Sequence, residues 1–302
     1  MAMPLTWAHD DLPDTWIFLL YLCGFMWKTS AFCPDFLDLF SIFGYLPASM
    51  KIKIPISSSV VIIPARYGST RFPGKVLAEL DGKPIIRWVY ERASASIADE
   101  VYVATDDERV FSAVEAFGGK AVMTSSTHPS GTDRIREAAC KMCPDAEIIV
   151  NVQGDEPLIP TSVIDKLISR MKSDESIEMA TVAVPSPRNE IAGNPNIVKA
   201  VVDNRNFALY FSRSAIPFLR SGGDDMPLYR HWGIYSYRRK TLEKFVSLSE
   251  SALEKCEKLE QLRALENGIR IYVVISDCES IGVDTPEDLE TVKKFLKTRG
   301  KI

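Results

Sequence analysis

The chain of 302 residues is poor in histidine, with three, and in cysteine, with six; nor has it an excess of positive charge, since 36 Lys and Arg stand against 40 Asp and Glu for a formal net charge of −4. With no global positive field to hold a duplex, nucleic acid is not expected as a partner. Cys23, Cys33, Cys140, Cys143, Cys256 and Cys278 are scattered through a chain large enough to fold without staples, which argues against a disulfide framework. Cys140 and Cys143 form a lone C-x-x-C with no second pair, so ordinary thiols are the preferred reading over zinc or redox chemistry. Long hydrophobic runs are missing too. The apolar stretch from Trp16 to Trp27 would be about 18 Å long as a helix, against about 30 Å for a hydrocarbon core. Asp10, Asp11 and Asp14 precede it where a secretory signal wants basic residues, and the first lysine is Lys28. Residues 1–50 are therefore expected to be an extension of separate character, suited at most to weak membrane contact through residues 16–27. The working domain is expected over residues 51–302, in the cytoplasm.

What is present is a globular composition, 46% hydrophobic and 25% charged, which excludes wholesale disorder and a multi-span membrane protein. From Val60 onward short β-branched runs alternate with helical stretches. Val60–Ile63, Val101–Ala104, Ala121–Met123 and Ile148–Val152 have the pattern of buried strands. Asp106–Phe117, Thr132–Cys143 and Pro160–Met171 have capped starts and apolar spacing, so the first half predicts β-α-β-α with a mostly parallel sheet. In the second half Glu178–Val184, Ile197–Val202, Ala208–Phe211 and Tyr229–Tyr237 succeed one another with little helix between, predicting an antiparallel excursion in a mixed sheet. A helix over Ala252–Asn267, a strand over Ile269–Ile275 and a last helix from Thr285 complete the expectation, an α/β fold in one domain with a substrate-binding insertion.

The segment from Pro64 to Lys75 leaves the carboxyl end of the first strand, where open α/β sheets bind ligands. Gly68, Gly74 and two prolines bend its backbone, and Arg66, Arg71 and Lys75 place three cations in ten residues, a combination suited to a triphosphate. It is not a Walker A loop, because Val76 stands where that motif needs Ser or Thr. A solvated basic loop is the bland alternative. The strand Ile148–Gln153 runs into Gly154 and Asp155, leaving a carboxylate beyond the sheet edge, and Asp284 offers a second from another strand end. Hard Mg²⁺ takes one or two carboxylates plus phosphate oxygens. Around Asp284, Thr285, Pro286 and Asp288 also make an ordinary helix start; capping and metal ligation are compatible there. In the run from His231 to Tyr235, period two puts His231, Gly233 and Tyr235 on one strand face, and a satisfied structural histidine is the plain reading. Leu259, Leu262 and Leu265 predict a buried helical stripe that turns Glu260 and Gln261 away from the core.

Taken together, the stretches Arg66–Lys75, Val103–Asp106, Ser130–Arg134, Val152–Pro157, Ala208–Arg213, Leu259–Arg263 and Gly282–Pro286 resemble the 3-deoxy-manno-octulosonate cytidylyltransferase family, from about Val60 to the C-terminus. The resemblance implies a Rossmann-like nucleotide-diphospho-sugar transferase fold and a homodimer. It also implies transfer of CMP from CTP to 3-deoxy-manno-octulosonate (Kdo), with release of pyrophosphate and with Mg²⁺ as cofactor, to activate the sugar for lipopolysaccharide or related glycan synthesis. By the same resemblance Arg66, Arg71 and Lys75 hold the CTP phosphates and, with Asp155, carry the catalysis. Pro64, Ala65, Thr105, Asp106, Ser130, Gly131, Thr132 and Gln153 surround the nucleotide; Asp155 and Asp284 are the metal carboxylates; Arg213, His231, Tyr235, Glu260 and Gln261 hold the acidic sugar. Asp133 departs from the family's more usual Glu. A transferase for another 2-keto sugar acid and a non-catalytic nucleotide-binding protein are the alternative readings.

Overall fold

The computed structural model describes residues 58–69, 71–220, 226–278 and 280–299, all within one compact unit, Ile56–Ile302. The expectations for residues 1–50, the membrane-contact stretch among them, lie outside the described residues. Among the described residues no helix is long and apolar enough to cross a membrane.

The sheet grows outward from β1 (Ser59–Pro64), whose neighbours β4 (Glu100–Thr105) and β6 (Ile148–Asn151) both run parallel to it. Beyond β4 comes β5 (Ala121–Met123), also parallel. On the other side of β6 lies β10 (Leu228–Arg238), antiparallel to β6 and to β7 (Met179–Ser186), and β11 (Ile271–Ile275) closes that edge parallel to β7. The order is thus β11-β7-β10-β6-β1-β4-β5, with β8 (Lys199–Val202) and β9 (Ala208–Ser212) branching from β10 as the antiparallel excursion. A small hairpin of β2 (Glu79–Leu80) and β3 (Lys83–Pro84) stands apart from the main sheet.

Period-two burial on both faces explains why β1 is an unbroken apolar run. Val61 and Ile63 pack into one core with Val89 of α1 (Ile85–Ser94), Val110 of α2 (Glu108–Ala116) and Leu167 of α4 (Thr161–Ser173). Val60 and Ile62 face the opposite core, with Ile135 of α3 (Gly131–Met142) and Phe245 of α6 (Arg239–Ser247). A short α5 (Arg188–Ile191) comes after β7. The expected helix over Ala252–Asn267 is two helices, α7 (Ala252–Glu257) and α8 (Gln261–Glu266). A capping box of Ser251 and Glu254 starts α7, and Lys258 ends it in the left-handed region at φ 54°, so the chain turns between Lys258 and Gln261. α9 (Pro286–Arg299) ends the described chain, and Val292 from it enters the first core.

Candidate active site

The loop after β1 is held in shape by its own backbone. Ser69 and Gly74 both donate their N–H groups to the carbonyl of Tyr67, at 2.9 and 2.8 Å. Gly74 sits in the left-handed region at φ 71°, and a Cβ there would lie 3.0 Å from the Tyr67 ring, so glycine is required twice over. The one-turn 3₁₀ helix Lys75–Leu77 comes next and turns the Lys75 side chain back toward the sheet edge. From the start of the loop, Arg66 donates to the His128 carbonyl at 2.6 Å and draws in the segment between β5 and α3. Glu137 steadies that segment from α3: it accepts from the Ser125 N–H at 3.0 Å, pairs with Lys141 at 2.6 Å and contacts the His128 ring. Burial would raise its carboxyl, but these donors hold it at about 2.

Lys75 joins the two expected metal carboxylates. Its ammonium pairs with Asp155 and, at 2.9 Å, with Asp284, while Arg71 reaches Asp284 at 2.9 Å from a more exposed position. Burial pulls the Lys75 ammonium down, but the two carboxylates more than offset it, leaving its pKa above the ordinary lysine value. Burial likewise raises Asp284, and Lys75 and Arg71 outweigh it, holding the carboxyl below the usual range. Asp155 stands on the turn after β6 beside Gly154, where a Cβ would come within 2.9 Å of the Pro64 carbonyl; any larger residue would push the two strand ends apart. Asp284 precedes α9, where Asp288 accepts from the Asp284 and Thr285 N–H groups at 3.0 and 2.9 Å. Thr285 caps the Asp288 N–H in return, at 3.3 Å.

The donor set suits a hard divalent ion. Among the described residues no group of three or more His, Cys, Asp or Glu converges, so Asp155 and Asp284 would leave most coordination positions to phosphate oxygens and water, as Mg²⁺ prefers. The shared ammonium of Lys75 marks where positive charge is already stabilised between them. Cys140, Cys143, Cys256 and Cys278 are free thiols.

A cavity of about 300 Å³ opens beside this cluster, and Pro64, Arg66, Lys75, Ser130, Gly131, Gln153 and Asp155 are brought together on its wall, along with Gly68, Pro129 and Gly154. Ser130 caps α3 by accepting from the Asp133 N–H at 3.3 Å, so the positive end of that helix faces the cavity. Ala65, fully buried, extends the sheet by donating to the Ala104 carbonyl at 2.9 Å. Thr105 and Asp106 are engaged in the fold instead of lining this cavity. Thr105 is buried and accepts from the Asp107 N–H at 3.2 Å, and Asp106 takes the guanidinium of fully buried Arg134 at 2.8 Å.

Gln153 also lines a second cavity, of about 440 Å³, with Glu156, Arg230, His231, Trp232, Tyr235, Gln261 and Ser280. Its wall is the β10 face, kept open by an irregularity in which Trp232 pairs with Val182 and Tyr235 with Thr181, leaving Gly233 and Ile234 bulged. The Thr181 hydroxyl lies 2.8 Å from the Ile234 carbonyl and 3.1 Å from that of Trp232, and 3.0 Å from His231 Nε2. Since its single proton goes to a carbonyl, His231 Nε2 carries the proton of that third bond. Desolvation drives the His231 pKa down to about 3, so the ring is neutral, and burial raises Tyr235 well above the ordinary phenol value. Burial pushes the Glu156 carboxyl up to about 7.

One expectation for this side changes. Gln261 does not turn from the core: it is buried, and its amide nitrogen has no partner among the described residues although the residue lines the cavity. Leu259 and Leu262 are buried as expected, but Gln261 and Ala264 are buried with them, so this short helix is covered over more of its surface than a single leucine stripe. Glu260 accepts from Thr132 at 2.6 Å and from Arg263 at 2.9 Å, tying α8 to the nucleotide-side helix. Arg213 donates to the carbonyls of Glu257 at 2.8 Å and Pro195 at 3.0 Å and does not line this cavity. Glu156 and Thr181 carry no sequence signal for these roles, whereas Gly154 does, as a glycine between a buried strand and an acid.

A mostly parallel α/β sheet whose strand ends gather cations, carboxylates and a helix N-terminus defines a nucleotide-binding transferase of the nucleotidyltransferase class. Comparison with known proteins narrows this. The sequence profile of the family described as Cytidylyltransferase matches residues 60–271. The 3-deoxy-manno-octulosonate cytidylyltransferase of Thermodesulfovibrio yellowstonii is 52% identical over 252 residues, covering 80% of this chain and 98% of that protein. The enzyme of the same name from Vibrio parahaemolyticus is 49% identical, covering 79% and 98%. Among solved structures, a CMP:2-keto-3-deoxy-manno-octonic acid synthetase complexed with CTP superposes with a TM-score of 0.77 at 45% identity, covering 80% of this chain and all of that one. The chain belongs to the 3-deoxy-manno-octulosonate cytidylyltransferase family and is an enzyme of the nucleotidyltransferase class.

Proposed function

We propose that the chain joins CTP and Kdo to give CMP-Kdo and pyrophosphate, with the triphosphate in the cavity of Arg66, Lys75 and Ser130 and the sugar acid in that of His231 and Tyr235. The observation that carries this reading is the meeting of Lys75, Asp155 and Asp284 at one point beside a cavity that Gln153 shares with the next. The anomeric 2-hydroxyl of the sugar attacks the α-phosphorus; the new P–O bond forms as the bond to the β-phosphate oxygen breaks, and pyrophosphate leaves with that electron pair. The hydroxyl proton passes to solvent. Such chemistry rests on positioning and charge neutralisation, which Lys75, Arg66 and Arg71 supply by holding the phosphates in line. Asp155 and Asp284 would hold Mg²⁺, which supplies further positive charge to the phosphates when bound. His231, as a neutral N–H donor to Thr181, keeps the β10 wall fixed, and the amide nitrogen of Gln261, without a partner among the described residues, would bond a sugar oxygen.

Pyrophosphate release, measured over CTP and UTP with Kdo and other 2-keto sugar acids, tests the assignment: release is expected with CTP and Kdo in Mg²⁺. Asp155→Ala should lower turnover by about 100-fold or more, and near wild-type activity of that variant would remove the metal assignment. We also infer a cytoplasmic homodimer. Leu209 on β9, 61% exposed, and Phe218 in the segment after it, 87% exposed, support a surface that a second copy covers; sedimentation of Leu209→Asp should then show monomers.

A further inference from the structure

Asp284 reaches the site on residues 280–285, ahead of α9, none of which belongs to a helix or strand. Three contacts seat this stretch on the turn that carries Asp155. The Val283 N–H donates to the Asp155 carbonyl at 2.8 Å, and the Ser280 hydroxyl donates to Glu156 Oε2 at 2.6 Å. The third is the backbone at Gly282, which passes so close that a Cβ there would lie 3.1 Å from Glu156 Oε1. Glu156 also lines the sugar-side cavity together with Trp232, so one carboxylate faces both the β10 wall and the stretch that delivers Asp284.

We propose that Glu156 is a positioning residue of the cation site: by holding Ser280 and packing on Gly282, it fixes how far Asp284 stands from Asp155. The proposal rests on the reading that those two aspartates hold the divalent ion. Val283, buried in the core, anchors the stretch from below, whereas Glu156 braces it from the side, where the separation of the two carboxylates is decided. Removal of a partner that orients a metal ligand typically weakens metal affinity by about 10- to 100-fold.

The test is Mn²⁺ binding to the full chain, followed by electron paramagnetic resonance with CTP present and no sugar, so that nothing turns over. Glu156→Ala should weaken Mn²⁺ by about 10-fold, and Ser280→Ala by about 3-fold in the same direction. Glu156→Gln should recover most of the loss, because its amide oxygen still accepts the Ser280 hydroxyl. CTP binding without metal should stay within about twofold of wild type in all three, since the brace does not touch the phosphate loop. Wild-type Mn²⁺ affinity in Ser280→Ala and Glu156→Ala overturns the brace; should Glu156→Ala fail to fold, Ser280→Ala alone decides. Asp284→Asn separates the two levels. Its losing Mn²⁺ while the brace variants do not defeats only the brace, and its keeping Mn²⁺ defeats the two-aspartate reading and the brace with it.

Discussion

The two cavities that meet at Gln153 are built on opposite plans. The phosphate side is charged and is made of loops: Arg66, Arg71 and Lys75 come from one bent segment, Asp155 and Asp284 from two others, and backbone bonds fix each before its charge is brought to bear. The sugar side has fewer charges, Arg230 and Glu156, and is made largely of a strand: His231, Trp232 and Tyr235 stand on β10, their places set by the bulge and by Thr181. Charge that must stabilise a transferring phosphoryl group works best where loops can bring several residues around it. Discrimination among polar sugars works best where a rigid sheet leaves unpaired bonds costly.

The contrast predicts effects of different size and kind. The largest belongs to Lys75. Lys75→Met removes the cation that both carboxylates share, and kcat should fall by about 100- to 1,000-fold with the KM for the sugar little changed; a sugar KM that moved as far as kcat would erase the distinction between the sides. Next comes the sugar wall. Tyr235→Phe deletes one hydroxyl, and the KM for the sugar should rise about 10-fold, as loss of one hydrogen bond implies, while that for CTP stays put. Gly154→Ala tests the seam between the two. Its Cβ would press on the Pro64 carbonyl, so thermal unfolding should show a loss of about 1–3 kcal/mol.

The same contrast governs how much was legible in the sequence. β1, β4 and β6 announce themselves because a strand buried on both faces is apolar over most of its length, and the loop leaving such a strand lies at the ligand-binding edge by construction. The phosphate side can therefore be read from sequence order alone. The sugar side depends on events with no periodic signature. Apolar spacing does not show where a helix breaks, and Lys258 at φ 54° is such a break, splitting one expected helix in two; nor does it show that the second piece also buries its polar Gln261. Arg213 donates to the Glu257 and Pro195 carbonyls, a placement that no sequence spacing announces. Thr105 and Asp106 stand at a strand end as the phosphate residues do, yet Arg134 from α3 claims Asp106.

The smallest effect is one of pH, and it separates the sides by sign and window. His231 is packed against Phe211 at a ring separation of 4.8 Å and Tyr235 at 5.5 Å, and desolvation lowers its pKa from 6.5 to about 3. Between those values the unfolded chain binds a proton that the folded chain refuses, so its contribution is whole above pH 6.5 and is lost as pH falls toward 3. Glu137, on the phosphate side, is held at about 2 against an ordinary 4.5, so its contribution persists down to pH 4.5 and declines below it. Glu156, pushed up to about 7, acts oppositely to His231 over much of the same range, which is why the informative quantity is a difference between proteins. The melting temperature of His231→Gln minus that of wild type should climb as pH drops from 6.5 to 4.5, whereas the same difference for Glu137→Gln should stay flat there and climb only below 4.5. A flat His231→Gln difference across that window would mean the ring accepts a proton in place, and the sugar wall would then carry a second cation beside Arg230.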